Sequence, residues 1–142
     1  MSLPINNIIE IKGNLFDSKN SLAHCVSKDL KMGAGIAVIF KKSFGHVDEL
    51  MEQTPFVGGV VSLKTGERHI FYLITKERYW HKPTYEALES SLITLSKELK
   101  EKNIKSLSIP RIGCGLDGLN WKKVKTMIEK ILVDVETKVY YL

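Results

Sequence analysis

Apolar residues along the chain gather into short runs separated by glycine, proline and charged clusters, and the spacing inside each run sets the element it predicts. Ile8 to Lys12 reads as a short strand ended by Gly13-Asn14, and Ser21 to Val26 as a second, mostly apolar strand. In the stretch KMGAGIAVIFKKSFG, Ile36, Val38, Ile39 and Phe40 suit a helix that begins at the glycines, with a further short helix around His46 to Met51. Gly59 to Leu63 runs to a turn at Thr65-Gly66, and Arg68 to Thr75 returns from it, a hairpin pattern. After Pro83, a helix-entry signal, Tyr85, Leu88, Leu92, Leu95 and Leu99 form one apolar stripe at spacings of three and four. Lys105 to Ile109 is a strand, a glycine loop follows, and Val124, Met127, Ile128 and Ile131 mark the buried face of a second amphipathic helix. Lys138 to Leu142 closes the chain as a strand.

Strands alternating with helices around buried strands predict an α/β fold in three layers, one domain over residues 1–142 with residues 1–7 as an unstructured start. The bulk numbers agree: 142 residues, 44% hydrophobic and 26% charged, describe a globular domain with a core of its own. No apolar run reaches the ~18 residues of a membrane span, and no basic-then-apolar secretory signal opens the chain. Cys25 and Cys114 form no Cys-x-x-Cys pair and read as two reduced thiols of an intracellular, cytoplasmic or nuclear protein. His24, His46, His69 and His81 lack ligand spacing, so no metal site is expected. The net charge of +5 suits an anionic partner. Nucleic acid is one such partner, but no aromatic residues interleave with the basic ones in the manner of single-strand binders.

In open α/β sheets, ligands bind at the carboxyl ends of strands, near helix starts. Three glycine-bearing strand exits fit that rule: Gly13-Asn14, Met32 to Ile36, and Gly113 to Gly115. Gly33-Ala34-Gly35 opens a helix, where backbone N–H groups attract anions, yet neither a Walker loop nor a dinucleotide fingerprint is present. A tight helix entry would account for these residues equally well. The segment PRIGCGLD, Pro110 to Asp117, leaves a strand, carries two glycines and precedes a helix; facing the other loop, it could clasp a diphosphate, and a flexible connection is the plain alternative. Lys76 ends the strand HIFYLIT and Asp117 closes the glycine loop, both at the ligand end of the sheet. By spacing alone, Lys76 reads first as a solvated surface residue and Asp117 as a helix-entry or turn carboxylate.

The segments KGNLF, SLAHCVSKDLKMGAGIAVIFKKSFG, YLITKERYWHKPTYEALESSL, SIPRIGCGLDGLNW and the terminal VYYL together resemble the macrodomain family. The resemblance is strongest to its terminal ADP-ribose protein glycohydrolase branch, also described as O-acyl-ADP-ribose deacylase, and it runs from about Ile8 to Leu142. It implies a mixed, roughly six-stranded sheet between helices, with ADP-ribose across its top. Asn14 then faces the adenine and Leu15 packs beside it. Ser27, Gly33, Ala34, Gly35 and Ile36 line the diphosphate and distal ribose. Pro110, Arg111, Ile112, Gly113, Cys114, Gly115, Leu116 and Asp117 form the opposing phosphate loop, and Leu142 lies near the adenine end. The resemblance further implies that Lys76 attacks C1″ of the distal ribose and that Asp117 is the general base. No cofactor or metal is needed, and the partners are ADP-ribose, O-acyl-ADP-ribose and proteins mono-ADP-ribosylated on Glu or Asp, met by a monomer.

One position departs from the family pattern, which has aspartate where this chain has Asn14. A carboxylate only accepts hydrogen bonds, whereas an amide accepts through one oxygen and must be oriented; adenine binding is therefore expected to persist but weaken. A free lysine has a pKa near ~10.4, so the amine must lose a proton before it attacks, and Asp117 is the expected acceptor. Three other functions compete: a reader that holds ADP-ribose without turnover, an ADP-ribose-1″-phosphatase, and a nucleic-acid-binding domain.

Overall fold

The computed structural model describes residues 7–142. The elements are β1 (Ile8–Lys12), β2 (Ser21–Ser27), α1 (Ile36–Phe44), α2 (Val47–Glu52), β3 (Val60–Thr65), β4 (Arg68–Lys76), α3 (Tyr85–Glu101), β5 (Ser106–Ile109), α4 (Trp121–Ile131) and β6 (Glu136–Tyr141). Two single 3-10 turns, Leu15–Asp17 and Gly115–Asp117, were not anticipated from periodicity because each is only three residues long. The expectation of an unstructured start lies outside the described residues except at Asn7. At Asn7 the carbonyl accepts from the Thr137 amide at 2.8 Å, and the side-chain amide donates to the Val133 carbonyl.

The six strands form one sheet in the order β1-β6-β5-β2-β4-β3. β3 pairs antiparallel with β4 through the hairpin, and the other neighbours are parallel. The sheet is thus mixed, as expected, and β1, β6, β5, β2 and β4 deliver their carboxyl ends to one edge. The closing strand begins two residues earlier than its apolar pattern predicts. Thr137 is buried and pairs with Ile8, so ladder hydrogen bonds rather than hydrophobicity set its start, and Leu142 falls just outside it.

Side chains alternate across the sheet with the strand period of two. In β4, Phe71 and Leu73 face α3 and α4, packing with Leu88, Leu92, Leu95, Leu99, Val124 and Ile128. Ile70, Tyr72 and Ile74 face the other side, with Phe40 of α1 and Leu50 of α2. Burial on both faces is why this strand reads as a continuous apolar run. Thr84 caps α3 by accepting from the Ala87 amide at 3.1 Å, so that helix opens at Tyr85.

His24 sits inside the second cluster, 1% exposed, its ring stacked on Phe40 at 3.6 Å. Neither ring nitrogen has a hydrogen-bond partner among the described residues. Burial lowers its pKa from 6.5 to about 3. Folding therefore excludes a proton that the unfolded chain accepts below pH 6.5, and stability is lost as pH falls from there toward the folded value, by about 1.4 kcal/mol per unit. His69, lowered chiefly by burial, contributes in the same sense. Urea unfolding at about pH 7 and about pH 5 checks this: the intact chain should lose more stability between the two than His24→Phe does. An equal loss in both chains would contradict it.

Candidate active site

The ligand edge of the sheet is built around β2 and β4. Their register slips between Val26 and Ser27, so that Ser27 stands opposite Lys76. Such a bulge re-aims the residues beside it. The Lys28 amide then donates to the Lys76 carbonyl at 2.8 Å and pins the end of β4. The chain next folds back through residues 28–35, with Leu30 (φ 52°), Met32 (φ 47°) and Gly35 (φ 59°) in the left-handed region. Side chains other than glycine are rarely held there. Here Leu30 and Met32 are buried at 2% and 5% exposure, so packing sustains the turn that delivers Gly35 to the start of α1.

The second loop leaves β5. Ile112 is buried beneath it, and the Leu119 amide donates to the Gly113 carbonyl at 2.9 Å. Gly113 has φ +72°, a conformation that strains any side chain, and a Cβ there would also press on Leu119 Cδ1 at 2.9 Å. The 3-10 turn Gly115–Asp117 follows, closed by Gly118, and it aims Asp117 back at β4. Lys76 Nζ donates to Asp117 Oδ1 at 2.8 Å, with the two side chains 13% and 20% exposed.

Between these loops lies a cavity of about 520 Å³, within the range of small-molecule sites. Its walls include Ser27, Gly33 to Ala37, Lys76 and the whole of Pro110 to Asp117, so most residues expected at the site are brought together. Asn14, Leu15 and Leu142 are not among those walls; they lie on or beyond β1 and β6. Leu15 is core, Leu142 is 95% exposed, and Asn14 Oδ1 accepts from the Phe16 amide at 2.9 Å as a turn cap. Arg111 contributes main chain to the loop, but its guanidinium turns outward, pairing with Glu10 at 3.3 Å and lying over the Tyr141 ring at 4.5 Å. Glu10 also accepts from Trp121 and Lys125, each at 3.0 Å. The Lys125 hydrogen bond leads in holding the Glu10 carboxyl below its ordinary range.

One wall was missed from sequence. Tyr79 to Lys82 follow Lys76 and line the cavity. Asp29 fixes this segment: it accepts from the Ser27 hydroxyl, from the Lys31 amide at 3.2 Å and from the Tyr79 amide at 3.1 Å. Burial pushes the Asp29 carboxyl up, but these donors and the Arg78 charge outweigh it and hold the pKa below the usual value. Lys82 Nζ donates to the Leu116 carbonyl at 2.6 Å, closing the wall onto the glycine loop. The signal was there in RYWHK, an aromatic pair flanked by charges directly after a strand end, but it carries no periodicity that announces a wall.

The site also holds sulfur. Burial, with the Asp117 charge adding to it, pushes the Cys25 thiol far up. Burial and Asp117 raise Cys114 too, against a downward pull from Arg111. Both are therefore neutral thiols and poor nucleophiles near neutral pH. Lys76, also on the cavity wall, donates directly to the Asp117 carboxylate, a contact through which the pair can exchange a proton.

A six-stranded mixed sheet between helix layers, with facing glycine loops over the ends of its parallel strands, defines a nucleotide-type α/β site. The chain belongs to the Macro domain family, whose sequence profile matches residues 23–128. It is 49% identical over 141 residues to human "ADP-ribose glycohydrolase OARD1", covering 96% of this chain and 93% of that one. It is 28% identical over 136 residues to the "DNA ADP-ribosyl glycohydrolase" of Thermus aquaticus, covering 89% of this chain and 38% of that longer protein. The solved macrodomain of Thermus aquaticus DarG superposes with a TM-score of 0.85 at 28% identity, over 95% of this chain and 98% of that one.

Proposed function

We propose that this macrodomain is an ADP-ribose hydrolase. It removes terminal mono-ADP-ribose from ester linkages to glutamate and aspartate, and it deacylates O-acyl-ADP-ribose. The observation that carries this reading is the 2.8 Å contact between Lys76 Nζ and Asp117 Oδ1 at the base of a cavity walled by two glycine loops. The 49% identity to human ADP-ribose glycohydrolase OARD1 supports the substrate class.

The ligand lies across the edge of the sheet. Main-chain N–H groups at the start of α1 and in residues 111–117 take the diphosphate, where glycines allow close approach. The distal ribose then meets Lys76, and the adenine reaches toward Asn14 and Leu142. Asp117 takes a proton from the Lys76 ammonium, and the neutral amine attacks C1″ as the C1″–oxygen bond breaks. The acyl carboxylate leaves with the bonding electrons and collects the proton from Asp117. Asp117, ionised again, removes a proton from water as the oxygen of that water bonds to C1″. Lys76 departs as the amine and recovers its proton from Asp117. The sum is ester plus water giving ADP-ribose and a carboxylic acid. A carboxylate, whose conjugate acid has a pKa near ~4.3, leaves far more readily than an amide or guanidine nitrogen, so ester linkages are the natural substrates.

Incubation with glutamate-linked mono-ADP-ribosylated protein tests this. The intact chain should release ADP-ribose, and Lys76→Ala and Asp117→Ala should each lose on the order of 10²–10⁴ in rate. Binding without release by the intact chain would make it a reader instead. A second outcome concerns Asn14, whose single oxygen is divided between the cap of the Leu15–Asp17 turn and the base. Asn14→Asp keeps one oxygen for the cap and frees another for the adenine amino group. ADP-ribose affinity by titration calorimetry should rise by about 1 kcal/mol; unchanged or weaker binding would mean that position 14 does not meet the base.

A further inference from the structure

We propose that Tyr79 and Trp80 seat the polypeptide that carries the ester-linked ADP-ribose, and that this polypeptide is an acidic segment. The inference rests on the reading of the site given above and extends it to the far side of the scissile bond. Lys76 is 13% exposed at the base of the cavity. In a displacement at C1″ the leaving group departs opposite the attacking amine, toward the mouth. Tyr79 and Trp80 line the cavity while 53% and 68% exposed, and Leu116 of the glycine loop, which also lines it, is 70% exposed. Three large apolar side chains gathered at the entrance of one cavity form the kind of exposed patch that marks a contact site.

The rim is held before anything binds. The Tyr79 amide is fixed to Asp29, and its ring lies under Lys31 Nζ at 5.4 Å. The Trp80 ring packs edge-on against His81 at 4.2 Å, and Lys82 reaches the Leu116 carbonyl at 2.6 Å. An aromatic platform ordered in advance loses little entropy when it is covered.

Charge selects the partner. Leaving aside Lys76, whose charge Asp117 already pairs, segments 28–31 and 76–82 carry four cations, Lys28, Lys31, Arg78 and Lys82, against two carboxylates, Asp29 and Glu77. Both carboxylates are already engaged, Asp29 by its three donors and Glu77 by Lys28 at 3.7 Å. The surplus around the aromatic pair is positive, which favours Glu- and Asp-rich chain over basic chain.

Binding to the full chain tests the proposal without turnover. The probes are free ADP-ribose and two peptides, one acidic and one lysine-rich, each carrying ADP-ribose through an amide bond that the displacement of a carboxylate does not cleave. The acidic conjugate should bind about tenfold more tightly than free ADP-ribose, equivalent to about 1.4 kcal/mol. Trp80→Ala, and more fully Tyr79→Ala/Trp80→Ala, should bring that ratio to within about twofold of unity, the lysine-rich conjugate gaining nothing over free ADP-ribose in any chain. A conjugate no tighter than free ADP-ribose, a ratio unmoved in the double variant, or equal gains for both peptides would overturn the proposal. Failure to hydrolyse the ester substrate would remove the hydrolase reading and leave this ratio unaffected, so the two fail separately.

Discussion

Parallel pairing of β2 with β4 is the constraint on which the site depends. It sends both strands out at the same edge, and the register slip at Val26/Ser27 sets Ser27 and the Lys28 amide against the last residue of β4. Without that alignment Lys76 would end a strand at an arbitrary height, and the glycine loop after β5 would close over something else. The pairing is itself enforced by burial. β4 inserts alternate side chains into cores on both faces of the sheet, so a one-residue shift would exchange the partners of Phe71 and Leu73 with those of Tyr72 and Ile74.

From that fixed strand end the remaining parts are local. Left-handed turns at Leu30 and Met32 are sustained by burying both side chains, and Asp29 just before them binds the wall that begins at Tyr79. Gly113 takes a left-handed backbone without strain, which lets the next turn aim Asp117 at Lys76. The resulting ion pair is partly shielded from water, where a charge contact of 2.8 Å is stronger than on an open surface. Burial beside it also keeps Cys25 and Cys114 as neutral thiols.

Much of this was legible in the chain, and the rest was hidden for identifiable reasons. The stripe Tyr85, Leu88, Leu92, Leu95 and Leu99 specified α3 directly, because helix periodicity is visible when one face is buried. HIFYLIT announced a buried strand but not which residues face which helices, since both faces are apolar. The start of β6 at Glu136 depends on a ladder partner in β1, which no local pattern records. Lys76 and Asp117 stand 41 residues apart, and by spacing Lys76 reads as an ordinary surface group and Asp117 as a turn carboxylate. The likeness to macrodomains joined them as an expectation, and the fold brings them into contact. The roles of Asn14 as a turn cap and of Arg111 as a partner of Glu10 arise from hydrogen bonds between distant or irregular segments, and composition could not foreshadow them.

The central claim is that Lys76 bonds to C1″, and trapping tests it most directly. A lysyl–ribose species opens to an imine that borohydride reduces to a stable amine. Incubation of the intact chain with ADP-ribose and a borohydride reductant, followed by peptide mass mapping, should therefore find a single ADP-ribosyl adduct on Lys76, and none in Lys76→Ala. An adduct that persists in Lys76→Ala, or a chain that hydrolyses ester-linked ADP-ribose yet never traps on Lys76, would contradict the account.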